Sequence, residues 1–145
     1  MATQTAPNPV REKLLKGLSY QKSGEIEKAQ RQYKQVLKKE PDNADALHLL
    51  GVTYRQLGFP RRALEFIQKA IKVNPVQSAF YANLARAMMD VGTDPDSLLL
   101  VCDKSLSLNP KEREARNMKA IALTRLKRFE EAEHLLQALI VEDPD

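Results

Sequence analysis

Cysteine is nearly absent from this chain of 145 residues: Cys102 stands alone, so no disulfide can form within it. Histidine is almost as scarce. His48 and His134 lie 86 residues apart, with no cysteine pair and no His-Glu-x-x-His spacing, which leaves no convergent ligand set and no expected metal. The five glycines are dispersed rather than gathered, so no loop is built to cradle a phosphate. Ser105 and Ser107 lack both a strained elbow and a neighbouring histidine, so neither is an activated nucleophile. No catalytic residue and no cofactor are expected. Met1 to Pro9 holds no apolar stretch able to act as a signal sequence, and no later run reaches membrane-spanning length. A cytoplasmic location is the default expectation. Aromatic residues make up 6% of the chain and no groove-reading motif accompanies them, so nucleic acid is not an expected partner.

Proline, by contrast, is regular. Pro41, Pro75, Pro110 and Pro144 follow one another at 34, 35 and 34 residues, and Gly24, Gly58 and Gly92 keep a spacing of 34. A fixed period of this length marks helical hairpins that stack on their neighbours, because one hairpin alone cannot bury its apolar face. Gly24, Gly58 and Gly92 suit helix ends that need a positive φ, with Lys127 in the corresponding slot of the fourth unit. Pro41, Pro75 and Pro110 stop second helices, whereas Pro60 and Pro95 fit first helical positions, with Asp94 as an N-cap. Between these breaks apolar residues recur at steps of three and four, as in Phe129, Ala132, Leu135, Leu136, Leu139 and Ile140. The spacing predicts eight helices and no strands, over 10–22, 26–39, 44–57, 60–73, 78–91, 95–108, 113–126 and 129–142. Residues 1–9 are expected to form a disordered tail. Gly17, Gly51, Ala85 and Ala120 fall where paired helices must approach closely, and Cys102 faces inward as an inert thiol.

The unit Leu47-His48-Leu49-Leu50-Gly51-Val52-Thr53-Tyr54, followed by Gly58, Ala63, Ala70 and Pro75, resembles the tetratricopeptide repeat. The resemblance covers nearly the whole chain, in units of about 10–43, 44–77, 78–112 and 113–145. Departures are Lys13 and Arg116 in a large apolar slot, Leu98 in place of the packing alanine, and Lys127 in place of glycine. The resemblance implies an all-α, right-handed solenoid of four hairpins. It also implies a non-catalytic module or adaptor that holds a protein or peptide on a concave face lined by the first helices.

Carried onto this register, that face comprises Leu14, Leu18 and Lys22 in the first unit and His48, Val52, Arg55 and Gln56 in the second. It continues with Ala82, Asn83, Arg86 and Met89 in the third and Asn117, Ile121 and Arg125 in the fourth. Arg55, Arg86 and Arg125 on successive first helices predict a mixed basic and apolar channel suited to an acidic or amphipathic peptide. The clamp that related repeats use for a C-terminal Glu-Glu-Val-Asp is not matched. Its places hold Leu14, Leu18, Leu49, Ala79 and Asn83, or, one unit later, His48, Val52, Asn83, Glu114 and Met118; only Asn83 fits.

Charge is uneven. Residues 1–75 carry 14 Lys/Arg against 7 Asp/Glu, and residues 76–145 carry 9 against 12. Lys28, Arg31, Lys34, Lys38 and Lys39 crowd one helix, which reads as a solvated outer face. On the last helix Leu135 and Ile140 are expected to stay partly bare, a surface for self-association. The segment Asp45–Gly51 is also similar to the N-terminal repeats of large bacterial proteins that continue into a transferase or hydroxylase domain. The alternative reading is therefore the substrate-recruiting part of a larger enzyme.

Overall fold

The computed structural model describes residues 6–142. Eight helices follow in order: α1 Pro9–Lys22, α2 Ile26–Lys39, α3 Ala44–Gln56, α4 Pro60–Val73, α5 Ser78–Asp90, α6 Pro95–Leu108, α7 Arg113–Arg125 and α8 Phe129–Glu142. The apolar period places every one of them within a residue. Among the described residues there is no strand. Each helix packs on the next, and α5 also on α3 and α7, so the chain is a stack of four antiparallel hairpins. No helix among the described residues is long and apolar enough to cross a membrane.

The first helix begins one residue earlier than the spacing predicts, at Pro9. Asn8 caps α1, its side chain accepting from the amides of Val10 and Arg11, and Pro9 takes the first helical position, where its missing N–H costs nothing. Residues 1–5 lie outside the described residues, as do 143–145 with Pro144.

One cap closes all four first helices. The amide of Gly24 donates to the Gln21 carbonyl and that of Glu25 to Tyr20, at 3.1 and 2.8 Å. The same pair of bonds recurs at Gly58 and Phe59, at Gly92 and Thr93, and at Lys127 and Arg128. This closure requires a left-handed residue. The three glycines adopt φ of 80°, 88° and 82°; Lys127 is forced to 61°.

Within each hairpin three slots share one volume. A Cβ on Gly17 would run into the ring of buried Tyr33, and one on Gly51 would lie 2.7 Å from Ile67 Cγ1 and 3.2 Å from the Ala63 carbonyl oxygen. In the third hairpin the larger Ala85 and Leu98 are offset by the smaller Cys102, and all three are fully buried. Leu98 in the alanine slot is thus compensated rather than disruptive, as volume-conserving changes in cores usually are. Arg116 is likewise accommodated: its Nε donates to the Pro110 carbonyl and its guanidinium meets Glu142 at 2.5 Å, tying α7 to the end of α8.

Candidate partner-binding face

The expected groove residues lie on the first helices, but several of them are spent on joining hairpins. His48 is buried against Phe80, ring centroids 4.6 Å apart, and its Nε2 accepts from Asn83 Nδ2 at 2.8 Å. The same Asn83 amide donates to the Ala79 carbonyl, so its orientation is fixed. With a donor aimed at Nε2 and little water nearby, the imidazole stays neutral, and burial pushes its pKa down to about 4. Ala82 is fully enclosed and Leu14 packs on the Ala29, Tyr33 and Leu50 cluster. His48 and Ala82 are therefore part of the seam between hairpins, a correction to their expected place on an open surface.

Polar rungs run along the row. Tyr33 Oη donates to Gln21 Oε1, and Gln21 Nε2 donates to Gln56 Oε1 at 2.9 Å. One hairpin further, Arg55 Nε lies 2.7 Å from Asp90 Oδ2, close but misaligned for a hydrogen bond. Arg86 meets Glu114 at 2.6 Å. Within the expected basic and apolar channel, Arg55 and Arg86 each face an acid of the following hairpin. The family resemblance singled out these arginines yet gave no sign of their pairing with Asp90 or Glu114, since the pairing depends on how adjacent hairpins are rotated. Lys22, Gln56 and Leu18 are exposed at the first two hairpins, while Val52, Met89 and Asn117 are half-buried.

At the far end the row opens. A hollow of about 610 Å³ is lined by Arg86, Glu114, Asn117, Ile121 and Arg125, with Met118, Ala120, Thr124 and Leu136 completing it. Four of the expected groove residues meet here: Arg86, Asn117, Ile121 and Arg125. The floor is apolar, and one rim carries the exposed Arg125 guanidinium. Leu136 was not among the expected residues, although its place 34 residues after Cys102 was a readable signal. Of the two residues expected partly bare on α8, Ile140 is 65% exposed and Leu135 is half-buried, on the side facing Leu123 and Lys119. Cys102 is enclosed and its thiol is pushed up to about 12 by burial, which removes its nucleophilic form at neutral pH. Among the described residues no group of three or more His, Cys, Asp or Glu could hold a metal ion.

Known proteins agree with this architecture. A model described as TPR repeat matches residues 17–58, and models described as tetratricopeptide repeat match 44–77 and 102–145. The Protein CTR9 homolog of Arabidopsis thaliana is 33% identical over 72 residues, which is 50% of this chain and 7% of that protein. Among solved structures, a mutant O-GlcNAc transferase of Thermobaculum terrenum superposes with a TM-score of 0.76 at 26% identity, over 85% of this chain and 23% of that one. The first TPR of Spaghetti (RPAP3), bound to the HSP90 peptide SRMEEVD, superposes with a TM-score of 0.76 at 18% identity, over 87% of this chain and 99% of that one. The chain thus spans a small part of the first two proteins. Three family matches, on eight helices of which the four first ones end in one repeated cap, leave one assignment: the chain belongs to the tetratricopeptide repeat family.

Proposed function

We propose that this protein is a non-catalytic interaction module that holds a segment of another polypeptide on the face carried by its first helices. The hollow between α5, α7 and α8 carries the reading. Arg55, His48 and Asn83 are engaged between hairpins elsewhere in the row, whereas here an apolar floor lies open beside Arg125 and the Arg86–Glu114 pair. A pocket of this kind suits an amphipathic segment whose apolar side chains enter and whose acidic group meets the guanidinium. The carboxylate-terminated peptide held by the Spaghetti repeat is not the model for it, because Asn83 is bound to His48 and Ala79.

Peptides selected from a random display library on the full chain, then titrated by calorimetry, test the proposal. Ile121→Glu places a charge on the floor and should weaken selected peptides tenfold or more, about 1.4 kcal/mol. Lys38→Glu, on the outer face of α2, should change affinity less than about twofold. Loss with Lys38→Glu and none with Ile121→Glu would move binding to the basic outer face and refute the assignment.

A second reading draws on the transferase likeness: the stack as the substrate-recruiting region of a larger enzyme. It predicts a catalytic domain in the same reading frame, and sequencing the complete gene decides it.

A further inference from the structure

The second helices of the stack divide by charge. α2 and α4 together carry nine Lys or Arg against two acids, Glu27 and Glu65, whereas α6 and α8 carry one, Lys104, against six. The cations are also paired differently. Arg86, Arg116, Lys119 and Arg128 of the last two hairpins each lie 2.5–2.7 Å from an acid. On α2 and α4, Lys28 holds Glu25 and Lys69 stands 4.0 Å from Glu65, while Arg31, Lys34, Arg62 and Lys72 have no ion pair among the described residues. Aromatic rings, not carboxylates, gather these cations. Tyr54 stacks on Phe66 with ring centroids 5.3 Å apart. Lys34 Nζ reaches from α2 to 5.8 Å from the Tyr54 centroid, and Arg62 Cζ reaches from α4 to 4.9 Å, its guanidinium donating to Tyr54 Oη. Lys69 Nζ lies 5.1 Å from the centre of the Phe66 ring. Ring quadrupoles thus position three cations without neutralising them.

The cluster borders a recess. A hollow of about 450 Å³ is lined by the apolar Pro41, Leu47 and Val73 together with Lys69, Lys72 and Asp42, so Lys69 belongs to both features. α4 is packed between α3 and α5, with a hairpin on either side, and Arg62, Lys69 and Lys72 are still exposed. Stacking of hairpins therefore leaves this surface open.

We infer that the outer face of α2 and α4 is a second binding surface, separate from the hollow beside Arg125, and that its occupant is an acidic polypeptide segment with an apolar side chain that enters the recess. Charge complementarity selects an anion. A carboxylate seated between Lys34 and Arg62 gains two attractions and offsets the repulsion between the cations themselves. The recess and the rings select a polypeptide. Tyr54 and Phe66 are stacked on each other and covered by Lys34, Arg62 and Lys69, so neither ring offers a face on which a nucleic-acid base could stack. A lipid surface has no side chain to fill the recess. Asp42 on its lining repels a carboxylate, so the residue that enters is uncharged.

The probe is a fluorescein-labelled peptide, Glu-Asp-Glu-Asp-Leu-Glu-Asp-Glu-Asp, titrated into the full chain and followed by anisotropy. The expected result is saturable micromolar binding, weakened about fivefold or more by Arg62→Glu or by Lys72→Glu. Replacing the central leucine of the peptide by serine should weaken it about threefold, the loss of a side chain from the recess. Lys127→Glu makes the same change in net charge on the fourth hairpin and should shift affinity less than about twofold. All three substituted positions are exposed, and unchanged helical circular dichroism verifies the fold of each variant. Binding should vanish between 0.1 and 1 M salt, as the screening length falls from about 10 to about 3 Å. Library peptides seated on the apolar floor at Ile121 should persist in 1 M salt, so the two surfaces are read separately. Absence of saturable binding, equal weakening by Lys127→Glu, or a serine peptide that binds as well as the leucine one overturns the inference. So does a preference, at equal anionic charge, for oligodeoxythymidylate or phosphatidylserine vesicles over the peptide, which would make nucleic acid or membrane the occupant.

Discussion

Acidification should loosen the stack through one residue, His48. In the folded chain its Nε2 faces the Asn83 amide N–H, which the Ala79 carbonyl holds in place, and its ring lies against Phe80. A proton on Nε2 would set donor against donor, and turning the amide to relieve this would give up the bond to Ala79. In the unfolded chain the imidazole titrates near its ordinary value of about 6.5, whereas in the fold it is held near 4. Between those values the unfolded state binds a proton that the folded state refuses, so stability falls as pH falls through this window and levels off below it. For the two values given, the loss between pH 7 and pH 5 is about 2 kcal/mol, an upper figure given partial relaxation around the ring. Glu25, Asp94 and Glu131, whose carboxyls are held low mainly by Lys28, by the Ser97 amide and by Arg128 respectively, lose stability in the same direction but in the lower carboxylate range. The upper window therefore belongs to His48. Urea denaturation followed by circular dichroism at half-unit steps from pH 7.5 to 4.5, on the wild type and His48→Gln, measures it. The wild type should show the slope and the variant should be nearly flat above pH 5. Parallel curves for the two proteins would refute the assignment of the slope to His48.

Two other changes test the repeat register. Lys127 adopts φ of 61° where the other three hairpins place glycine, so Lys127→Gly should stabilise the chain by about 0.5–1 kcal/mol, the relief of left-handed strain less the entropy that glycine adds to the unfolded chain. A melting temperature unchanged or lowered would show that the cap is unstrained. Gly51→Ala should cost about 1–3 kcal/mol, because its Cβ would crowd Ile67 and the Ala63 carbonyl, and a stability equal to wild type in urea titration would mean that α3 and α4 separate freely.

Much of this molecule was legible because a repeat is a local rule written four times. Glycine at a positive φ, proline after a second helix, and small residues where two helices touch are each required by backbone geometry within one hairpin. Their spacing alone therefore located the helices and the caps of the first helices. What lay beyond the sequence depends on the relation between hairpins. That Arg55 meets Asp90, that Arg86 meets Glu114, and that Asn83 fixes the tautomer of His48 all follow from the rotation of one hairpin on the next, which no periodicity encodes. The same relation separates Leu136 from Cys102. Both occupy an inward slot and both look like core in the sequence, but burial needs a neighbour as well as an apolar side chain, and only the packed stack shows which slots have one.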